Sequence, residues 1–444
     1  MVRPMSWGVA LAPLVVAVLG GCDAAQQPPS REEAYVAEAA FHADRPGDVV
    51  REALTGDVAH YSFVLRLGDT PNARIRVHRL VREWAPWHPR RTEGAVMLLH
   101  GDFSSFASNF APSPDAGMAL YLAAHEGLDV WGIDRRWALA PQDAHLADFA
   151  DMGLAQEIDD LGHGLAFARA VRFATGGKGE RFTLVGFSHG GHLAYAYASA
   201  EAAQPEARRH VKALVPLDIY AEIAPGEDPV FHERACGDAA FYRQELADGH
   251  FEQKNGLFIK LGTLAQSAPN EPTPFQDFFP GFTNRGALLR FAAQTAEVFP
   301  PMFTPVYHLA SAVLENGVAT AFRDSPENAV AAYFANASPY QATRELADFD
   351  TLLCGPAPGQ GPLPVDVPLE RIRIPLYYVG VAGGFGDHGL DTTTRVRSKD
   401  VTTVVLRRFG PEREAEDLGH ADILFARDAA DIAWKPLAAW IRRH

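Results

Sequence analysis

Cysteine and positive charge are both scarce in this chain of 444 residues. The three cysteines form no clustered set with histidine, so the sequence offers no zinc site, and no metal or organic cofactor is expected. The formal net charge of −15 at pH 7 leaves no cationic surface to displace counterions from phosphates, which excludes nucleic acid as a partner. Repeats of solenoid or propeller period are also missing. Because the length exceeds what one hydrophobic core organises, a large domain with an accessory part is expected.

A long hydrophobic run that could span a bilayer is missing as well. The first residues, MVRPMSWGVALAPLVVAVLGGC, carry one early cation and then an apolar run too short for a membrane helix, a pattern typical of an export signal. The end of this run, Leu19-Gly20-Gly21-Cys22, resembles the lipobox of bacterial lipoproteins, which implies that Cys22 is lipidated and becomes the mature N-terminus. The alternative is an ordinary signal that is cleaved to give a soluble secreted protein.

The segments predicted from this pattern are a signal peptide over 1–21 and a polar, proline-containing tether over 22–45. A lipid anchor would be the chain's contact with the membrane, and the protein would lie in the bacterial cell envelope, in the periplasm or at the surface. Cys236 and Cys354 would then meet an oxidising compartment. There they either form a disulfide or stay as two separate buried thiols.

Strand and helix patterns alternate after the tether. Continuous apolar runs such as GAVMLLHG are typical of strands covered on both faces, and the segments between the strands have apolar residues at helical spacing. This alternation predicts right-handed crossovers and an α/β fold with a mostly parallel central sheet flanked by helices. The predicted strands cover 61–67, 73–81, 94–101, 128–134, 181–187, 211–220, 374–381 and 400–409.

The alternation breaks between the sixth and seventh predicted strands. Residues 221–370 are rich in proline, aromatic residues and helix-like pieces, which predicts a large, mainly helical cap inserted over the carboxyl edge of the sheet, where ligands bind. The core is thereby divided into residues 46–220 and 371–444. Some aromatic rings of the cap would line an apolar entrance to the site. The candidate rings are those of Phe275, Phe278, Phe279, Phe282, Phe291, Phe299, Phe303 and Tyr307.

The segment LVGFSHGG places a serine between two glycines directly after a buried strand. Gly186-Phe187-Ser188-His189-Gly190 fits the pattern G-x-S-x-G, with the strand before it and the helix after it that the pattern requires. A serine exposed above the sheet must lie in a tight, strained turn, and the glycines remove side chains that would clash there. Ser188 is therefore the predicted nucleophile. The backbone N–H of His189 and the positive end of the helix would face a developing oxyanion.

With this motif the chain resembles the α/β-hydrolase family from about residue 60 to its end. LLHGDF, at the end of the third strand, is similar to the His-Gly turn of that family. The resemblance implies that the backbone N–H of Asp102 is the second oxyanion donor, with Phe103 as the neighbouring candidate. The family's order of nucleophile, acid and histidine points to His420, which lies in the loop before the closing helix. Its imidazole would take the proton of the serine.

The acid of the triad has three candidates. The family places it after the strand IPLYYVGV, where Asp387 and Asp391 are the next carboxylates. Asp387 is the predicted acid, because the glycines ahead of it let the chain turn back over the sheet edge. The loop is longer than the common pattern, however, and some members of the family carry the acid one strand earlier. Asp218, in VPLDIY, is the candidate at that earlier position.

Together these residues predict a serine hydrolase that cleaves an ester through an acyl-enzyme, with a small-molecule substrate that is an apolar or aromatic ester. Alternatives with the same triad are an amidase, a peptidase, a lactone hydrolase or a C–C bond hydrolase, since one fold hosts all of these activities. A different class, a surface lipoprotein that uses the fold as a non-catalytic binding module, is the remaining alternative.

Overall fold

A computed structural model describes residues 49–141, 146–177, 179–222, 229–298, 306–355 and 365–444. The predicted signal peptide, the tether and Cys22 lie outside the described residues, so the export signal and the lipid anchor stay predictions. None of the helices in the described part of the chain is long and apolar enough to cross a membrane.

Ten strands form the central sheet, in the order β1-β2-β3-β6-β5-β7-β8-β13-β14, with β4 paired to β3. The strands from β6 across to β14 pair in parallel, whereas β1, β2 and β3 pair antiparallel with their neighbours. The predicted, mostly parallel α/β sheet is thus confirmed. The strands of the described residues are β1 Val49–Ala53, β2 Val58–Arg66, β3 Arg74–Ala85, β4 His88–Pro89, β5 Ala95–Leu99, β6 Asp129–Asp134, β7 Phe182–Phe187, β8 Val211–Leu217, β9 Glu252–Lys254, β10 Ala312–Glu315, β11 Val318–Phe322, β12 Tyr340–Ala342, β13 Leu376–Val381 and β14 Val401–Leu406.

Helices cover both faces of this sheet. Along β5 the side chains alternate between two apolar layers: Val96 and Leu98 belong to one, Met97 and Leu99 to the other, and all four are buried. Burial on both faces explains why the central strands have continuous apolar sequences. The helices are α1 Phe106–Phe110, α2 Met118–Ala124, α3 Leu154–Ala174, α4 His189–Ala202, α5 Pro229–Ala247, α6 Gly256–Ser267, α7 Asn284–Ala293, α8 Thr295–Val298, α9 Glu327–Ala335, α10 Thr343–Cys354, α11 Gly386–Arg395, α12 Asp422–Phe425 and α13 Lys435–Ile441.

The segment between β8 and β13, here called the insertion (residues 221–370), contains α5 to α10 and two small sheets, β10-β11 and β12-β9. A disulfide between Cys236 and Cys354 joins α5 to α10. The insertion contacts the core at the turn after β5, where Ser338 N–H donates to the carbonyl of Phe103 at 2.8 Å. The assignment of 221–370 as a cap domain stays a prediction, but this contact places part of it beside the predicted site.

The aromatic residues of the insertion have several environments. Phe279 and Phe291 are buried in the apolar cluster that also contains residues of the central sheet, and Phe291 packs edge-on against Phe334 at 5.5 Å. Phe278 is exposed. Tyr307 is buried with its ring centroid 5.4 Å from that of His420. Phe275 and Phe282 are partly buried, and Phe299 and Phe303 lie outside the described residues.

Candidate active site

Ser188 lies in the sharp turn between β7 and α4 that the sequence predicts. Its backbone has φ 53° and ψ −132°, a left-handed conformation that is strained for a residue with a side chain. A Cβ on Gly186 would overlap the carbonyl oxygen of Gly190, and a Cβ on Gly190 would overlap the carbonyl oxygen of Leu99. Both glycines are therefore needed for this close approach. Ser188 itself keeps some exposed surface, unlike the strand before it.

His420 and Asp218 form a buried hydrogen-bonded pair. Nδ1 of His420 lies 2.7 Å from Oδ2 of Asp218, and neither side chain has more than 2% of its surface exposed. Because a carboxylate accepts and cannot donate, Nδ1 carries a proton, and the neutral form of this imidazole has its lone pair on Nε2. The ring of His420 stacks on that of Phe187 at 4.6 Å, which places the imidazole beside the residue that precedes Ser188.

The prediction of Asp387 as the acid is wrong on this geometry. Asp387 lies in the first turn of α11 with 65% of its side chain exposed, and its carboxylate accepts from Arg407 at 2.9 Å. Asp391 pairs with Arg395 at 3.1 Å. Neither carboxylate is the partner of His420.

The loop after β13 folds over Asp218 and does not present a carboxylate of its own. Asp218 Oδ1 accepts from the N–H of Val381 at 2.9 Å, and Oδ2 accepts from the N–H of Phe385 at 3.0 Å. A Cβ on Gly384 would overlap Oδ2 of Asp218. The glycines of this loop therefore bring backbone donors to the acid that precedes the insertion.

The turn that follows β5, residues 100–104 and here called the β5 turn, lies against Ser188. A Cβ on Gly101 would be 3.0 Å from the Cβ of Ser188. Phe103, with φ 49°, donates its N–H to Oε1 of Gln341 at 2.9 Å. The N–H of Asp102 has no acceptor within the described residues. The N–H of His189 is at the first position of α4, where a helix supplies no acceptor. These two amides are thus free to serve as the predicted oxyanion donors.

The side chain of His189 is buried and belongs to an ionic network that local sequence does not reveal, between the partly exposed Asp102 and the buried Glu345. Nδ1 lies 2.7 Å from Asp102 Oδ1, and Nε2 lies 3.1 Å from Oε1 of Glu345 on α10. Burial alone would lower the pKa of His189, but these two carboxylates raise it to about 10, so the imidazole is charged at neutral pH. Conversely, burial would raise the pKa of Asp102, but His189 holds it at about 2.

The network continues into the core through Arg135, whose Nη1 lies 2.5 Å from Glu345 Oε1 and 3.2 Å from Glu157 Oε2. Burial and the neighbouring Glu345 raise the pKa of Glu157 well above its ordinary value. Two ion pairs thus follow each other in this network: Arg135 with Glu345 is buried, whereas in the pair of His189 with Asp102 the carboxylate side chain is 37% exposed.

The carboxylate of Asp422 joins the loop that carries His420 to the insertion. Its Oδ2 accepts from the N–H of Gly419 at 2.8 Å and from the N–H of Ser311 at 2.7 Å, and its other oxygen accepts from Ser325. It lies inside α12, one residue after the N-cap. By fixing Gly419 it holds the loop that carries His420 against the insertion.

Comparison with known proteins identifies the fold. No protein-family model matches the sequence, and no curated protein matches it. A candidate lipase from Sulfolobus solfataricus is similar in structure, with a TM-score of 0.60 and 16% identity over 90% of this chain and 99% of that chain. A monoglyceride lipase variant from Saccharomyces cerevisiae has a TM-score of 0.43 and 11% identity over 90% of this chain and 96% of that chain. An esterase from Rhizomucor miehei has a TM-score of 0.43 and 12% identity over 94% of this chain and 98% of that chain.

At these identities the likeness concerns the fold alone. The strand order, the parallel sheet between two helical layers and the likeness to the Sulfolobus protein define an α/β-hydrolase fold, as the sequence predicts.

Proposed function

We propose that the protein is a serine hydrolase that cleaves carboxylic esters, with Ser188 as nucleophile, His420 as base and Asp218 as acid. The observation that carries this proposal is the buried His420–Asp218 hydrogen bond of 2.7 Å, with the imidazole stacked on Phe187, which directly precedes a serine in a strained strand-to-helix turn. A hydroxyl is a weak nucleophile at neutral pH, and an oriented imidazole with a free Nε2 lone pair is what activates it.

In the proposed reaction, Oγ of Ser188 attacks the ester carbonyl while Nε2 of His420 accepts the serine proton. The carbonyl oxygen becomes an oxyanion that accepts from the N–H groups of His189 and Asp102. Collapse of this intermediate breaks the ester bond, and His420 gives its proton to the leaving alcohol. Water then attacks the acyl-enzyme by the same steps and releases the acid and the free serine.

We infer that an apolar or aromatic ester is preferred over a small charged one. The support is the set of rings around His420: Phe187, Tyr307 and Phe385 have centroids 4.6, 5.4 and 5.2 Å from that of the imidazole. A series of p-nitrophenyl esters tests this inference, and kcat/KM is expected to rise by up to about 1 kcal/mol of transition-state binding per added methylene until the pocket is full. A rate that is highest for acetate and falls with every carbon contradicts it.

A fluorophosphonate probe, which modifies an activated serine, tests the central proposal. Wild-type protein should be labelled at Ser188, and the Ser188→Ala and His420→Ala variants should lose labelling and turnover by roughly 10³-fold or more while staying folded. The matched control is Ser267→Ala, which removes an exposed hydroxyl on α6 and should change neither the labelling nor the turnover. Full turnover by folded Ser188→Ala protein would end the proposal.

We further propose that the protein acts outside the cytoplasm, anchored by a lipid on Cys22. The support is the lipobox-like end of the first 22 residues together with a disulfide, which persists in oxidising compartments. Full-length protein should then partition into detergent with the membranes, and Cys22→Ser should abolish this. Recovery of wild-type chain as soluble, unmodified protein contradicts the anchor.

A further inference from the structure

The side chain of Gln341, on β12 of the insertion, is fully buried and reaches the β5 turn of the core. Its Oε1 accepts the N–H of Phe103 at 2.9 Å, and its Nε2 lies 2.6 Å from Oδ1 of Asp102. Because a backbone N–H can only donate, the orientation of the amide is fixed, and Nε2 must be the end that donates to Asp102. One side chain of the insertion thus holds two successive residues of the turn.

The same oxygen of Asp102 also contacts the residue after the nucleophile. Asp102 Oδ1 lies 2.7 Å from Nδ1 of His189, so the side chains of the two residues that supply the candidate oxyanion donors are joined to each other. On the far side, Nε2 of His189 lies 3.1 Å from Glu345, again on the insertion. Gln341, Asp102, His189 and Glu345 therefore form a continuous polar chain that begins and ends on the insertion.

This turn needs such support. Phe103 has φ 49°, a conformation that costs free energy for any residue other than glycine and persists only where surrounding contacts hold it. Oxyanion donors have to be held within about 0.5 Å of their productive positions. Other polar contacts hold the backbone of the turn: the N–H of Gly101 donates to Asn109 Oδ1 at 2.7 Å, Arg135 donates to the carbonyls of His100 and Gly101, and the N–H of Ser338 and Nδ2 of Asn255 donate to the carbonyl of Phe103. On Asp102, Ser104 Oγ donates to the carbonyl at 2.9 Å, whereas the carboxylate is contacted by Gln341 and His189.

We propose that Gln341 is a positioning residue for the oxyanion donors: through Asp102 and Phe103 it holds the β5 turn in register with Ser188 and His189. The inference rests on the proposed function and adds to it, since it makes the geometry of the core site depend on a residue of the insertion. If Gln341 only supported the fold, its substitution would lower the stability of the protein. It would leave kcat and the affinity for a transition-state analogue unchanged.

The test replaces Gln341 with methionine, which has a similar length and no amide. Gln341→Met should lower kcat for a p-nitrophenyl ester by roughly 10- to 100-fold, somewhat less than the loss of an oxyanion donor, while KM stays within about twofold. The affinity for a trifluoromethyl ketone, which forms an oxyanion on the serine, should weaken by the same factor. Fluorophosphonate should still label the variant to completion, because Ser188 and His420 are unchanged.

The matched control is Gln253→Met. Gln253 is the cross-strand partner of Gln341 on β9, and its Nε2 donates to Thr343 Oγ1 at 3.2 Å, away from the turn. It should keep the wild-type kcat. A second variant, Gln341→Glu, keeps an acceptor for Phe103 but loses the donor to Asp102, so it should also lower kcat and serves if the methionine variant does not fold.

The outcomes separate the two hypotheses. Wild-type kcat and ketone affinity in folded Gln341→Met or Gln341→Glu protein overturn the positioning role alone, as does an equal loss in Gln253→Met. Wild-type protein that neither turns over esters nor reacts with fluorophosphonate overturns the proposed function and this inference with it.

Discussion

Nδ1 of His420 lies 2.7 Å from Oδ2 of Asp218, a residue that precedes it by 202 positions and has no exposed surface. Asp218 directly follows β8, and its own N–H donates to the carbonyl of Val379 on β13 at 2.7 Å. The acid is therefore fixed by the sheet on one side and by backbone donors of the next loop on the other. Its position does not depend on any exposed contact.

This pairing predicts opposite behaviour for two aspartates. Asp218→Asn should lower kcat by roughly 10³- to 10⁴-fold, because an amide at this position no longer enforces the tautomer of His420. Asp387→Asn removes an exposed ion pair with Arg407 and should leave kcat within about twofold. Steady-state kinetics on both variants, with circular dichroism to establish folding, makes the comparison. A larger loss of kcat in Asp387→Asn than in Asp218→Asn would show that the loop after β13 supplies the acid.

Two glycine substitutions should have effects of opposite sign on stability. Gly186→Ala places a Cβ against the carbonyl of Gly190, so the turn at Ser188 must shift, and both the melting temperature and turnover should fall. Gly237→Ala, on the exposed face of α5 with open space around it, should stabilise the protein by about 0.5 to 1 kcal/mol through helix propensity. Thermal unfolding measures both. An unchanged melting temperature in Gly186→Ala would mean that the turn at Ser188 has room for a Cβ at position 186.

The charged state of His189 predicts a pH dependence of stability. The pKa of His189 is about 10 in the folded chain against an ordinary value of 6.5. A raised pKa contributes stability that is complete below pH 6.5 and is lost as the pH rises through 10. Between pH 6.5 and 10 the free energy of unfolding should therefore fall, by about 4 kcal/mol from this group.

Urea unfolding at several pH values across this range measures the effect. The His189→Gln variant lacks the titrating group and should show a flatter dependence, although its absolute stability is lower because Asp102 and Glu345 lose their partner. Equal slopes for the wild-type and variant proteins would show that His189 is not charged in the folded state.

The disulfide between Cys236 and Cys354 should stabilise the insertion. It closes a loop of 118 residues, and the Cys236→Ser, Cys354→Ser double variant should lose about 3 kcal/mol of unfolding free energy. Wild-type protein treated with reductant should lose a similar amount, whereas the double variant should not respond to reductant. A melting temperature that is the same with and without reductant contradicts the bond.

The sequence predicted the turn at Ser188 and the place of His420 because their signals are local. Eight consecutive residues specify a buried strand, a glycine-flanked serine and a helix, and the loop before the last helix has one histidine in the right position. Edge strand β1 was missed because VVREA, with an exposed face and two charges, lacks clear alternation.

The partner of His420 was predicted wrongly because local sequence does not show which of the two loops, after β8 or after β13, supplies the carboxylate. The glycines after β13 predict a turn that aims Asp387 at the site, whereas in the structure they let the N–H groups of Val381 and Phe385 approach Asp218. Which carboxylate meets the imidazole is decided by tertiary packing. Gln341 has no signal at all, since its partner Asp102 is 239 residues away and only the docked insertion brings them together.

The order of the site residues along the chain gives the disulfide a further consequence. Ser188 and Asp218 precede Cys236, and His420 follows Cys354, so the disulfide encloses most of the insertion and none of the proposed triad. A proteolytic cut in the exposed residues between the two cysteines would yield two fragments, one with serine and acid and the other with histidine, still joined by a covalent bond. Such nicked protein would migrate as one species without reductant and as two with it, and its three triad residues would stay tethered in one molecule.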